Sequence, residues 1–76
     1  MSYFQLKAEV AKFLLEKAVN MSQIKENYDA IWISCPVPKG NKFEVKINIF
    51  PDGYSYNCEE KFVFEVEKTD VEIAQL

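Results

Sequence analysis

Residues 42–50 carry the cleanest pattern in the chain: Phe43, Val45, Ile47 and Ile49 alternate with Lys42, Glu44, Lys46, Asn48 and Phe50. A period of two marks a strand with one buried face. Residues 28–35, Tyr-Asp-Ala-Ile-Trp-Ile-Ser-Cys, are aromatic and β-branched and stop at Pro36-Val37-Pro38, which reads as a second strand followed by a loop. Further strands are expected over 54–58 and 61–67, the latter with Phe62, Phe64 and Val66 on one face.

Before Tyr28 the pattern is helical. Neither Gly nor Pro occurs until Pro36, and Ser2-x-x-Gln5 has the spacing of a capping box, with Met1 and Leu6 as its staple. A helix over about 3–19 is predicted. Its polar positions, Ser2, Gln5, Glu9, Lys12, Glu16 and Asn20, gather in one narrow arc, and the remainder is almost wholly apolar. One small sheet does not cover an arc that wide. Either further structure wraps the helix or part of it meets another chain.

Residues 69–76 fit two elements. Thr69-x-x-Glu72 has cap spacing for a short helix, towards which the reading leans, while Val71 and Ile73 alternate as an edge strand would. The architecture predicted is α+β, a single domain over 1–76 in which an N-terminal amphipathic helix packs on an antiparallel meander of about four strands.

The stretch Phe50-Pro51-Asp52-Gly53-Tyr54-Ser55-Tyr56 sets a question of register. A two-residue turn at Asp52-Gly53 opposes Ile49 to Tyr56 and Ile47 to Cys58, placing the tyrosine in the core. A three-residue loop at Pro51-Asp52-Gly53 opposes Phe50 to Tyr54 and Asn48 to Tyr56, and the rings leave the Ile face. Pro51 suits the first central position of a type I turn, and Gly53 the left-handed residue after it, so turn chemistry favours the loop. With Glu59-Glu60 as the next turn, Asn57 faces Phe62 and Ser55 faces Phe64. Phe50, Tyr54, Tyr56 and Val63 then share the outer face with charged neighbours, the composition of a protein contact surface.

Charge and composition narrow the chemistry. The net charge of −3 is uneven, because residues 59–76 hold six acids (Glu59, Glu60, Glu65, Glu67, Asp70, Glu72) against Lys61 and Lys68. An acidic stretch steers basic partners. All nine basic residues are Lys, and the absence of Arg weighs against a nucleic-acid reader. There is no His, hence no usual general base and no usual metal ligand. Cys35 and Cys58 lack a C-x-x-C partner set for zinc and are expected as reduced, buried thiols in a cytoplasmic protein. No run reaches the roughly 18 apolar residues of a membrane span.

These observations point away from catalysis, cofactors and metals. The function expected is that of a small, acidic, non-enzymatic protein that binds another protein, basic and nucleic-acid-handling, in the manner of phage or mobile-element inhibitors. Phe50, Tyr54, Tyr56, Val63, Glu59, Glu60, Glu65 and Glu67 are the candidate contact residues. The alternatives are a homodimer through the helix face and a weak single-strand binder using Lys39, Lys42, Lys46 and the tyrosines.

Overall fold

The strand read most clearly from the sequence is the one around which the protein folds. The structure is a computed structural model describing residues 2–23, 28–51 and 59–75. Strand β4 (Lys42–Pro51) buries Phe43, Val45, Ile47 and Ile49, the last three completely. Each such side chain contributes about 1.5–3 kcal/mol of transfer free energy.

Three strands pair with β4. β3 (Val37–Lys39) joins it through Gly40-Asn41, with Lys39 opposite Lys42. Gly40 takes φ +62°, the left-handed value that mirror-image two-residue turns require and that a residue with a Cβ adopts at a cost. β2 (Tyr28–Ile33) lies further along the same edge, with Ile31 opposite Ile49 and Ile33 opposite Ile47. Between β2 and β3 the register slips by one residue, and Ser34 bridges the slip. Its N–H donates to the Lys46 carbonyl (2.9 Å), while its Oγ accepts from the Lys46 N–H (2.9 Å), a hydroxyl standing where a strand carbonyl would be.

β5 (Glu60–Val66) occupies the other edge of β4, from Phe43 opposite Val66 to Ile49 opposite Glu60. The turn on which both readings of the Phe50–Tyr56 stretch depend lies outside the described residues. Ile47, Asn48 and Ile49 already pair with Phe62, Lys61 and Glu60 on one side and with Ile33, Trp32 and Ile31 on the other. On β4, Phe62 and Phe64 face Ile47 and Val45. This register sets aromatic rings beside aliphatic side chains, which withdraws both from water. The strand expected over 54–58 lies outside the described residues.

The predicted helix divides in two. Residues Ser2–Leu6 form strand β1, and only Ala8–Met21 form helix α1. Ser2 and Gln5 are strand residues and make no capping box; Met1 of the predicted staple is outside the described residues. Two residues apart, Phe4 and Leu6 would point about 160° from each other on a helix but share one side of a strand. In β1 both reach the core, Leu6 buried and the Phe4 ring edge-on to Phe43 with centroids 4.9 Å apart.

β1 pairs antiparallel with β6 (Val71–Gln75), Leu6 opposite Val71 and Phe4 opposite Ile73. The edge-strand reading of the tail is therefore the one realised, and the short helix is limited to a 3-10 turn over Lys68–Asp70. The turn is closed from Glu67, whose N–H donates to Asp70 Oδ2 (3.1 Å), not from Thr69. Lys7 N–H donates to the Asp70 carbonyl (3.0 Å) and extends the ladder to the foot of α1.

The α+β class stands: one helix packs on an antiparallel sheet, β2 and β3 along one edge of β4 and β5 along the other. Leu14 and Ala18 of α1 are buried against the inner face of β4, with Val10, Ala11, Leu15 and Val19 partly so. The β1–β6 ribbon covers the rest of that core with Phe4, Leu6 and Val71. The breadth of the predicted apolar arc came from counting Tyr3, Phe4 and Leu6 as helical. Phe13 and Met21 are the large apolar side chains that α1 leaves exposed.

Candidate protein-binding surface

With α1 against one face of the sheet, the opposite face is open to solvent. Cross-strand register sets out its rows: Ala30 beside Phe50, then Trp32, Asn48 and Lys61, then Lys46 and Val63, then Val37, Glu44 and Glu65, then Lys39 and Lys42. Trp32 dominates this face. Its side chain is 64% exposed, yet its ring is held edge-on against Phe50 with centroids 5.0 Å apart and an interplanar angle of 64°. Such an aromatic pair fixes the indole without covering it.

The predicted contact residues separate. Phe50 is on the outer face as expected, but it is buried and acts as the floor on which Trp32 rests. Val63 is on the same face and exposed, opposite Lys46. Glu65 is exposed opposite Glu44. Tyr54 and Tyr56 lie outside the described residues.

The other acids are engaged within the chain. Glu59 accepts from Asn48 Nδ2 (3.4 Å) and stands 3.8 Å from Lys61 Nζ. Glu60 accepts the Gln23 N–H at 3.2 Å on each carboxylate oxygen, tying the segment after α1 to the start of β5. Glu67 lies 3.5 Å from Lys42 Nζ.

Lys39 Nζ donates to Glu44 Oε2 at 2.9 Å. That hydrogen bond holds the Glu44 carboxyl below its ordinary 4.5; partial desolvation opposes it, and the charges of Lys39 and Lys46 add to it. The same bond raises the Lys39 ammonium above its ordinary 10.5, helped by the charge of Glu44 and, less, by that of Glu65. Lys39, Lys42 and Lys61 thus each stand beside a glutamate.

Trp32 was missed as a contact residue although the sequence carried a signal for it. Ile31 and Ile33 assign one face of the strand to the core, so an indole between them is forced to the other. At its foot is a shallow groove of about 230 Å³ lined by Trp32, Ile33, Ser34, Lys46 and Asn48. Cys35 is exposed, not buried as expected: it lines an open groove of about 260 Å³ with Phe4, Leu6 and Ile33, while the neighbouring Pro36 is buried. Cys58 is outside the described residues. Among the described residues no three His, Cys, Asp or Glu side chains gather as metal ligands. Among them also, no helix is long and apolar enough to cross a membrane.

No protein-family model, curated protein or solved structure matches the chain.

Proposed function

We propose that this chain is a non-enzymatic binding protein that presents the outer face of its sheet to another protein. The observation that carries the reading is Trp32: a large exposed ring set edge-on against Phe50. Interface hot spots are enriched in Trp because a pre-ordered indole contributes contact area at small entropic cost. Lys39, Lys42 and Lys61 stand beside glutamates, which reduces the positive charge this face offers to a phosphate backbone. Pairing of Glu59, Glu60 and Glu67 within the chain likewise moves the weight from the acidic stretch to the indole and Val63. Inhibition by occupying a target's surface needs only such a face. On its net negative charge, the target class we assign is a host nucleic-acid-handling or defence protein.

Affinity capture from the native host, with wild-type protein and Trp32→Ala in parallel, tests this. The expected outcome is a partner whose affinity falls about 30-fold or more, the scale of a central hot spot, while the variant keeps its far-UV circular dichroism. Equal retrieval by both proteins would refute the assignment. Single-strand nucleic-acid binding that weakens with salt and requires Lys46 would replace it.

A further inference from the structure

β2 keeps much of its apolar surface exposed, at Tyr28, Trp32 and Ile33, with Ala30 and Ile31 half-buried. Every residue but Asp29 is apolar or aromatic, and none of the six is buried. Its inner side borders an open groove of about 470 Å³ between Leu15, Val19, Tyr28 and Ile31. Among the described residues no strand pairs with its second edge. The opposite margin of the sheet, β5, carries Lys61 and Glu65, the exposed charges with which proteins blunt an edge. β2 has no charge between Ala30 and Ser34.

The backbone of this edge has a definite polarity. Ser34 N–H donates to the Lys46 carbonyl, so residues 34 and 46 form a hydrogen-bonded pair of the β2–β4 register. Strand amides alternate in direction, and therefore Trp32 and Ala30 address β4 while Ile31 and Ile33 point their N–H and C=O groups to the open side. Register shifts between Tyr28 and Ala30, which removes Asp29 from regular pairing.

We propose that two copies of this chain join through β2, antiparallel about a two-fold axis perpendicular to the sheet, with Ile31 opposite Ile33 of the second copy and Trp32 opposite Trp32. A perpendicular dyad keeps both helices on one side and requires inner-face residues to oppose inner-face residues. Among registers obeying that rule, this one satisfies the outward groups of both isoleucines without using the bulged Asp29. It gives a reciprocal pair of N–H···O=C bonds on each side of the axis.

The same register fits the side chains, which is why the occupant is a second copy and not an unrelated strand. Isoleucine meets isoleucine beside the Leu15–Val19 groove. The two indoles meet in a non-hydrogen-bonded pair, where cross-strand side chains approach most closely. No like charges oppose each other in the paired run. The outer faces of the two copies become continuous across the axis, and self-pairing and partner capture are read by different measurements.

Trp32 is the only tryptophan in the chain, so the dimer has its own optical signature. Sedimentation equilibrium from about 1 µM to about 1 mM, with far-UV circular dichroism at the same concentrations, is the test. The expected result is a reversible dimer with an exciton couplet from the paired indoles, both lost together on dilution. Ile33→Lys should abolish both while leaving a cooperative thermal transition; if that variant does not fold, dilution of the wild-type protein decides the matter. A monomer throughout the range would overturn the proposal, as would a dimer without a couplet, which would place the contact elsewhere, at Phe13 and Met21 of α1 for example.

Discussion

Ser34 shows how a single hydroxyl holds two strands in one edge. Where β2 gives way to β3, the Lys46 N–H finds Ser34 Oγ at 2.9 Å in place of a carbonyl. Ser34→Ala leaves that donor without its acceptor and is expected to lower stability by about 1 kcal/mol, with Ser34→Thr close to wild type; urea denaturation of the three proteins checks this. Lys39 and Glu44 give a prediction in pH. The Glu44 carboxyl is depressed in the folded chain, so its contribution is present above the ordinary 4.5 and is lost as pH falls through the depressed value. Lys39 is raised, so its contribution is present below the ordinary 10.5 and is lost as pH rises through the raised value. Carboxyl titration by NMR should show Glu44 moving back up towards 4.5 in Lys39→Met and in high salt, because the pair is solvent-accessible. An unchanged Glu44 titration would mean that the lysine is not the cause.

At the level of elements, β4 was legible because its alternation is long and uninterrupted, and it became the strand on which the others pair. Ile47 is fully buried with Ile33 on one side and Phe62 on the other. Ile47→Ala is expected to cost about 2–5 kcal/mol and Ile47→Val about 0.5–1.5 kcal/mol, measured by thermal or urea unfolding. A chain of this length has about 4–11 kcal/mol in total, so the alanine variant should be close to unfolding at physiological temperature. Residues 3–6 were misread for a reason that belongs to this scale. Tyr3-Phe4-Gln5-Leu6 satisfies a helical and an alternating pattern alike, and no Gly or Pro separates it from Ala8. Its partner, Val71–Gln75, is remote in sequence, and local pattern does not reveal a pairing of that range. The candidate surface was legible in part: Val63 and the outer placement of Phe50 followed from alternation. Trp32 did not, because its importance depends on Phe50 lying beneath it across the strand pair.

The molecule as a whole is more extended than its length requires. Its radius of gyration is 13.3 Å, against about 11.4 Å expected for a close-packed chain of this size. The β1–β6 ribbon is a two-stranded sheet that draws its stability from Phe4, Leu6 and Val71 on the common core. Native-state hydrogen exchange should therefore show two levels. Amides of β4 should open only with global unfolding, while those of β1 and β6 exchange through a smaller local opening, accelerated further by Phe4→Ala. Uniform protection across both sheets would show that the ribbon is no separate unit.

By itself the sequence determined what depends on neighbours a few residues away. It set the α+β class, the buried face of β4, the helical span from Ala8 onward, and the absence of His and Arg that limits the chemistry, but it read residues 36–41 as a loop where the structure has β3. Tertiary structure decided what depends on competition for backbone hydrogen bonds. The edges of β4 accept β2 and β3 on one side and β5 on the other. The same competition recruits residues 2–6 and 71–75 into a sheet of their own and leaves Trp32 standing on Phe50 in the open. A strand's pattern records which of its faces wants burial, but its partner is chosen by whichever edge, anywhere in the chain, returns the most apolar contact.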